Sequence, residues 1–519
     1  MAVFDLRLKK LEHEIEHAGN YDEYEAACLA HDALSGAEEW KAEDASDDYD
    51  YKLIRKRVQR LQLARGKGDL HALMSILHEG LHGNLGNIAN PVLLTQCKIG
   101  TKYLIEQFID EVILALEQIY HADEQDVDFY EKLSFFEETA HAFGRSCLML
   151  SGGAGLGFFH AGVVKSLNEK NLLPTVVSGS SAGSIIAAML GTRTHDQLLE
   201  ALSADFIYET FKHWRSFAGL GKKGLFDSSV LENALIELFD LTTFEEAFKK
   251  TGRHITVTVS PADLHQHSRL LNAKTSPNAI ITQAVRASCA VPIIFSPVQL
   301  RAKTPSGDIV PYIPNRRFAD GSLMADLPFE RLARLYGVNH SIVSQTNPLA
   351  VPFISANRID PNSLWDMSAR HLGQLAKTNS IFAIDIIERL TGNKSAKLAI
   401  HKVRSIIDQQ YVGNINILPK RQMRNLSQVL SNPTRESINQ LIVSGERASW
   451  PQLHVIKRNT KISENLRYHL GQLKKREAVE LGHVGADEVR RAYHRAAYWD
   501  ERVQMGEWWC NEIVLLLSN

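Results

Sequence analysis

The sequence predicts an α/β layered domain over about residues 146–350, with helical regions before and after it. Two successive strand–turn–helix units support this prediction: CLML, SGGAGLG and FFHAGVVKSLNEKNL, followed by TVVSG, GSSAG and SIIAAMLGT. Two later segments, RHITVTVS at 253–260 and HSIVSQT at 340–346, have the apolar pattern of strands. Strands that alternate with helices are typical of layered α/β domains.

The flanking regions have apolar residues at spacings of three and four, which predicts helices. Before the α/β region this pattern is found in YKLIRKRVQRLQLARGKGDLHALMSILHEGL and TKYLIEQFIDEVILALEQIY. After it, the pattern returns in SARHLGQLAKTNSIFAIDIIERL and SENLRYHLGQLKKREAVELG. We therefore expect three regions: an N-terminal helical domain at 1–140, the α/β domain at 146–350 and a C-terminal helical region at 351–519.

The composition excludes several classes of protein. The 519 residues are 44% hydrophobic and 23% charged, and the net charge of −2 provides no basic surface for nucleic acid. Five widely spaced cysteines without CxxC pairs favour a reducing compartment. The charged N-terminus lacks the apolar stretch of a signal peptide, and no window has the roughly 18 apolar residues of a membrane span. We expect a cytoplasmic protein that is soluble or peripheral to a membrane.

Ser181 is the first candidate catalytic residue. It lies between Gly179 and Gly183 in GSSAG, after an apolar run and before a predicted helix. Glycines at these positions let a chain turn sharply from strand to helix, which leaves the serine hydroxyl exposed above the sheet. The alternative is a loop of small residues that permits tight packing.

Two further segments provide the groups that a nucleophilic serine requires. SGGAGLG at 151–157 follows a predicted strand, and its backbone N–H groups suit a developing oxyanion. The segment fits neither the dinucleotide-binding nor the P-loop pattern, because Phe158 replaces a glycine and no Gly-Lys-Ser/Thr follows. In FADGSLMADLP at 318–328, Asp320 is a candidate base, although an Asp-Gly pair is also common in plain turns.

Histidines provide two alternative kinds of site. HEGLH at 78–82 matches a zinc-protease motif, but Gly80 interrupts the helix that this motif needs, so we expect no metal. His340, His371 and His401 follow Asp320 in the order of a conventional serine hydrolase triad, yet none lies in a distinctive loop motif. His160, on the helix after the glycine loop, has either a structural or a supporting role.

The ordered segments SGGAGLGFFHAGVVKSL, GSSAGS, VRASCAVPIIFSP and DGSLMADLP together resemble the patatin-like phospholipase and lipase family. The resemblance implies a three-layer α/β/α core and a Ser-Asp dyad in place of a triad. It puts Ser181 at the nucleophile position and Asp320 at that of the proton acceptor, with Gly321 and Ser322 completing the DG motif. The oxyanion loop then consists of Gly152, Gly153 and Ala154.

Two positions depart from the glycine loop of this family, which usually reads G-G-G-x-R-G. Ala154 replaces the third glycine, and it still offers a backbone N–H. Leu156 replaces the basic residue, which removes a charge that could contact a phosphate and so favours a neutral lipid. Ser322 replaces a small residue of the DG motif and should not disturb Asp320.

The segments EEWKAED, GNLGNIANPVL and LIEQFIDEV extend the resemblance to the helical domain of fungal and plant triacylglycerol lipases. It implies a carboxylic ester hydrolase that acts on glycerolipids, triacylglycerol first, at a membrane or lipid-droplet surface and without a cofactor. Phospholipase A, lysophospholipase and acyltransferase activities remain open on the same dyad. A lipid-binding protein without activity is the competing class, and retention of Ser181 and Asp320 argues against it.

Overall fold

The fold is taken from a computed structural model of the chain. It describes residues 2–212, 228–262, 266–291, 295–321, 326–347, 412–419 and 433–480. The strands are β1 (Arg145–Leu150), β2 (Val176–Gly179), β3 (His254–Pro261), β4 (Arg269–Asn272), β5 (Arg301–Lys303), β6 (Ile309–Pro311), β7 (Phe318–Asp320), β8 (Val338–Ser344) and β9 (Ile415–Ile417). Each of the four strands that the sequence predicts is present as β1, β2, β3 or β8.

Helices make up most of the rest of the described chain. Those that precede the sheet are α1 (Ala2–His17), α2 (Tyr21–Ser35), α3 (Ala37–Ala42), α4 (Tyr51–Lys67), α5 (Leu70–His78), α6 (Tyr103–His121) and α7 (Phe129–Phe143). Those that follow β1 are α8 (Phe159–Glu169), α9 (Ala182–Thr192), α10 (His195–Ala201), α11 (Ala204–Phe211), α12 (Ser228–Phe239), α13 (Phe244–Thr251), α14 (Ile281–Ser288), α15 (Phe329–Tyr336) and α16 (Arg435–Glu480). The predicted helix at 368–390, His371, His401 and Ser322 lie outside the described residues.

Seven described strands form one sheet in the order β4-β3-β2-β1-β8-β9, with β7 also paired to β3. Strands β3, β2, β1, β8 and β9 are parallel to their neighbours in this order, whereas β4 and β7 run antiparallel to β3. Strands β5 and β6 form a separate antiparallel hairpin. The carboxyl ends of β1 and β2 therefore lie side by side, and both glycine-containing turns leave the sheet at this edge.

Both faces of the sheet are covered, as alternate residues of β1 demonstrate. Leu148 and Leu150 pack in a large apolar core with residues of α8, α9 and α14. Cys147 and Met149 point to the opposite face and pack against Leu332 and other residues in and around α15. A strand that is buried on both sides needs the near-continuous apolar run that RSCLML provides. The predicted three-layer α/β/α architecture is confirmed.

Helix α16 packs closely against α8, beside the glycine loop. A Cβ on Gly162 would lie 1.8 Å from the carbonyl oxygen of Ile442, and one on Gly445 would lie 2.1 Å from that of Phe159. The two backbones approach so closely because both helices carry glycine at the contact. Lys165 Nζ reinforces it by donating to Glu446 Oε1 at 2.7 Å.

The chain divides into two compact units. One unit comprises Met1–Lys56, His82–Ile109 and Phe143–Ser463, and it contains the sheet. The other comprises Arg57–Leu81, Asp110–Ala142 and Glu464–Asn519, and its described part is helical. In the helical unit, buried Lys132 Nζ donates to the carbonyl oxygens of Tyr120 and Ala122. No helix in the described ranges combines the length and apolarity required to span a bilayer.

Candidate active site

Ser181 occupies a strained turn between β2 and α9. Its backbone has φ 49° and ψ −124°, a conformation that L-residues rarely adopt. The turn passes close to neighbouring backbone: a Cβ on Gly183 would lie 2.2 Å from the carbonyl oxygen of Leu150, and one on Gly179 would lie 2.4 Å from that of Gly183. Only glycine fits at these two positions. A strained serine at a strand-to-helix turn is the geometry of a nucleophile elbow.

Hydrogen bonds to α14 and to strand β1 hold this turn. The Ser181 N–H donates to Ser288 Oγ at 2.9 Å, and the Ser288 hydroxyl donates to the carbonyl oxygen of Thr258 at 2.7 Å. The N–H of Ser180 donates to the carbonyl oxygen of Leu150 at 3.0 Å. Ser288 lies within the VRASCAVPIIFSP segment, but the sequence alone gave no indication of this supporting role.

The sheet brings Asp320 to the same edge as Ser181. Val259 pairs with Arg269 of β4 and also with Asp320 of β7, so β4 and β7 occupy opposite edges of β3. Strand β4 takes one edge of β3, so β2 and β7 both pair with the other edge. Strand β7 pairs there beyond the point where β2 ends. Ser181 follows the end of β2 directly and is therefore next to β7.

Asp320 is buried at the end of β7. The residue is 2% exposed, and its N–H donates to the carbonyl oxygen of Ala290 at 3.0 Å. The following Gly321 is required because a Cβ would lie 2.2 Å from the carbonyl oxygen of Thr258. Within the described ranges, no hydrogen bond joins Ser181 Oγ to Asp320. Catalytic contacts are often long before substrate binds, so this geometry is compatible with a dyad.

The glycine loop lies beside the Ser181 turn and presents backbone N–H groups there. A Cβ added to Gly157 would lie 2.4 Å from the Cβ of Ala182, so the loop and the start of α9 are in close contact. Ala154 has a positive φ of 47°, which explains why a glycine would also suit this position. In the described part of the chain, the N–H groups of Gly153 and Ala154 have no acceptor. Of the three predicted donors, these two are available to an oxyanion.

Asp326, a residue that sequence reasoning missed, binds the third predicted donor. The Gly152 N–H donates to Asp326 Oδ1 at 2.7 Å, and the Asn347 side-chain amide donates to Asp326 Oδ2 at 3.1 Å. Burial, together with the nearby Asp320 and against the effect of these hydrogen bonds, raises the pKa of Asp326 to about 7. The signal in the sequence was a second aspartate shortly after the Asp-Gly pair, at Asp326 in ADLP.

His160 is buried beneath the glycine loop and has a supporting position. Its Nδ1 lies 2.7 Å from Ser344 Oγ, and its Nε2 lies 3.0 Å from the carbonyl oxygen of Ser151. Because burial lowers the pKa of His160 to about 4, the ring is neutral at pH 7. A neutral ring needs its proton on Nε2 to donate to Ser151, so the Ser344 hydroxyl donates to Nδ1. His160 thereby ties the loop to the end of β8.

An apolar cavity opens at the Ser181 turn. Apart from Ser181, its described lining consists of apolar side chains, a thiol and glycine backbone. The lining residues are Ala154, Gly155, Gly157, Phe158, Ser181, Ala182, Ile185, Ile186, Met189, Ile207, Phe211, Leu231, Cys289, Val291 and Phe295. Burial raises the pKa of the Cys289 thiol, so it stays protonated and acts as apolar lining. The cavity suits a hydrocarbon chain whose reacting carbon lies near Ser181.

Neither the HEGLH histidines nor His340 form the alternative sites. Helix α5 ends at His78, so His82 does not share its face as the zinc motif requires. His340 lies near the amino end of β8, the opposite sheet edge from Ser181, and bonds to Ser146 at 2.9 Å. No group of three or more metal-ligating side chains comes together in the described ranges.

Comparison with known proteins gives a consistent result along most of the chain. Residues 148–333 match the family described as patatin-like phospholipase, and residues 3–141 match a domain of unknown function, DUF3336. Triacylglycerol lipase 4 of Saccharomyces cerevisiae is 36% identical over 87% of this chain and 52% of its own length. Triacylglycerol lipase SDP1L of Arabidopsis thaliana is 34% identical over 80% of this chain and 53% of its own length.

Triacylglycerol lipase ptl2 of Schizosaccharomyces pombe is 31% identical over 87% of this chain and 73% of its own length. The chain thus spans about half the length of the first two relatives and about three quarters of the third. In each case the similarity extends well beyond the 148–333 region, which the patatin-like match covers.

Proposed function

The chain belongs to the patatin-like phospholipase family, and from that premise we propose that it hydrolyses acyl esters of glycerolipids, with triacylglycerol as the preferred substrate. The observation that carries this proposal is the strained Ser181 turn, which opens directly on an apolar cavity. The names of the three relatives, all triacylglycerol lipases, support the choice of substrate. We assign the reaction to the region at 146–350, with helical regions at 1–140 and 351–519.

In the proposed reaction, Ser181 Oγ attacks the ester carbonyl carbon while its proton passes to Asp320. The tetrahedral intermediate collapses, the bond to the alcohol oxygen breaks, and Asp320 returns the proton to the leaving alcohol. Water then attacks the acyl-enzyme and gives one proton to Asp320. The fatty acid leaves as Ser181 recovers its proton. The proposal requires the Ser181 hydroxyl to reach Asp320 when substrate binds.

The surroundings of the dyad support this division of roles. Asp320 is 2% exposed, so bulk water has little access to the carboxylate that we assign as the proton acceptor. The free N–H groups of Gly153 and Ala154 are the donors that we assign to the oxyanion. The Gly152 N–H contributes indirectly, because its bond to Asp326 fixes the start of the loop.

The character of the cavity and loop supports a neutral substrate. Apolar side chains line the cavity, and the buried Leu156 is where the family loop usually has a basic residue. A triacylglycerol needs no charged contact, whereas a phospholipid headgroup is anionic or zwitterionic. Since triacylglycerol is insoluble, the enzyme works at a lipid–water interface. We propose peripheral association with a membrane or lipid droplet in the cytoplasm, to which the free thiols of Cys28, Cys97, Cys147 and Cys289 are suited.

The direct test is hydrolysis of emulsified triacylglycerol and of phosphatidylcholine vesicles by the wild type, Ser181→Ala and Ser178→Ala. Ser178 is a matched control, since its buried hydroxyl has no hydrogen-bond partner in the described chain and it lies on β2 just before the turn. We expect triacylglycerol to be the better substrate, with activity lost only in Ser181→Ala. Preference for phosphatidylcholine would overturn the choice of substrate. Hydrolysis that persists in Ser181→Ala would overturn the assignment of the nucleophile.

A further inference from the structure

A second cavity lies at the amino edge of the sheet, opposite to the edge that carries Ser181. Its volume is about 280 Å³, and it is located where β1 and β8 begin. Its polar lining includes Arg145, Ser146, His340, Asn414, Arg458 and Asn459. The proposed hydrolysis uses none of these residues.

Arg458 is the unusual group in this cavity. The residue is only 7% exposed, yet no carboxylate of the described chain lies within 4.0 Å of its guanidinium. Its hydrogen bond is a long one, from Nε to Asn459 Oδ1 at 3.4 Å. Glu106 attracts it only from beyond ion-pair distance, and burial lowers the pKa of Arg458. Burial of an arginine without a close counter-charge is costly, so it indicates that an external anion completes the site.

The neighbouring His340 is uncharged, so it does not add a second positive charge beside Arg458. Burial, together with the charge of Arg458, lowers the pKa of His340 to about 4, so the ring is neutral at pH 7. The side-chain amide of Asn459 lies 3.2 Å from His340 Nε2, and Ser146 Oγ lies 2.9 Å from Nδ1. With the amide donating to Nε2, the ring proton is on Nδ1 and points to Ser146. This chain of hydrogen bonds fixes Asn459 beside Arg458.

The remaining lining includes apolar surface. Arg145 also lines the cavity, at the exposed start of β1. Ile88, Phe108 and Ile462 provide an apolar wall. Guanidinium groups bind carboxylate and phosphate oxygens through paired N–H donors, and the apolar wall can receive a short alkyl stem.

We propose that this cavity binds the oxyanion of a small organic acid or phosphate, with Arg458 as its principal charged contact. The ligand chemistry is an anionic carboxylate or phosphate head, either free or on an alkyl stem. The site is separate from the Ser181 cavity, because the two open at opposite edges of the same sheet. The inference does not depend on the proposed hydrolysis.

The test is titration calorimetry of the full chain with inorganic phosphate, octanoate and octyl phosphate, with octanol as the uncharged probe. Arg458→Gln removes the proposed contact, and Arg467→Gln is the matched control because Arg467 is exposed on the same helix. We expect at least about a tenfold weaker affinity for the anions in Arg458→Gln and unchanged affinity in Arg467→Gln. Tighter binding of octyl phosphate or octanoate than of phosphate would identify a lipid anion; equal affinities would identify free phosphate.

A second readout separates a binding role from a structural one. Removal of a buried charge that lacks a partner should leave the melting temperature of the ligand-free protein unchanged or higher. If Arg458→Gln fails to fold, Arg458→Lys replaces it, and weaker anion binding is again expected because the paired N–H donors of the guanidinium are lost. The proposal is overturned if wild type binds none of the anions at millimolar concentration. It is also overturned if the cavity variants bind them as tightly as wild type.

Discussion

The backbone N–H of Gly152 donates a 2.7 Å hydrogen bond to Asp326 Oδ1, so a second buried carboxyl group is attached directly to the loop beside Ser181. Of the three predicted oxyanion donors, this bond leaves Gly153 and Ala154 with N–H groups that have no acceptor in the described chain. Asp326 is therefore a positioning residue in our account: it fixes the loop and does not touch the substrate.

Replacement of Asp326 tests this role. Asp326→Ala leaves the buried N–H of Gly152 without an acceptor, which costs about 1–3 kcal/mol. If the loss falls on the oriented loop, kcat should drop about tenfold or more with little change in KM. Asp326→Asn retains an acceptor oxygen and should recover most of the activity. Equal activity of wild type and Asp326→Ala on emulsified triacylglycerol would remove Asp326 from the account.

The raised pKa of Asp326 predicts a pH-dependent stability. Between its ordinary value of 3.8 and about 7, the folded protein binds a proton that the unfolded chain has released. The free energy of unfolding therefore falls as pH rises through this window, by about 1.4 kcal/mol per unit of pKa difference at most. Asp326→Asn lacks this loss, so its stability relative to wild type should improve from pH 5 to pH 8. Urea unfolding at both pH values measures it, and an unchanged difference would contradict burial of the carboxyl.

The lowered pKa of His160 predicts that stability depends on pH with the opposite sign. Its pKa is lowered from 6.5 to about 4, so the unfolded chain takes up a proton in this window and the folded protein does not. The stability that neutral His160 contributes is therefore complete above pH 6.5 and is lost as pH falls toward 4. His160→Gln should flatten the unfolding free energy on this acid side when it is measured by urea titration. A wild-type slope in the variant would mean that another group causes it.

The close packing of the glycines in the Ser181 turn predicts that a larger residue there will clash with neighbouring backbone. Gly183→Ala would place a Cβ 2.2 Å from the carbonyl oxygen of Leu150, so the elbow must shift. We expect a lower melting temperature and a large loss of hydrolysis. Gly66→Ala is the control, since Gly66 lies in α4 with nothing within 4 Å of its Cβ, and it should be neutral or slightly stabilising. A Gly183→Ala enzyme with wild-type activity and stability would contradict the described turn.

Local sequence was sufficient for the elements that carry the site. The apolar run, the two glycines and the following helix pattern predicted the turn at Ser181, because these features act over a few residues. The contact between Gly152 and Asp326 could not be predicted, since it joins residues 174 positions apart and depends on the sheet. The packing of Gly162 against α16 could not be predicted for the same reason, since it joins distant parts of the chain. The sequence predicts a helix only from residue 463 onward, whereas α16 begins at Arg435.

The most direct test of the central claim is the rate at which a fluorophosphonate labels Ser181, followed by mass spectrometry of the peptide. The reagent needs an activated serine and an oxyanion site, but no lipid interface. We predict one adduct, on Ser181, and labelling at least about a hundredfold slower in Asp320→Asn, while Asp308→Asn in an exposed turn keeps the wild-type rate. An adduct on another residue, or labelling of Asp320→Asn at the wild-type rate, would contradict the dyad.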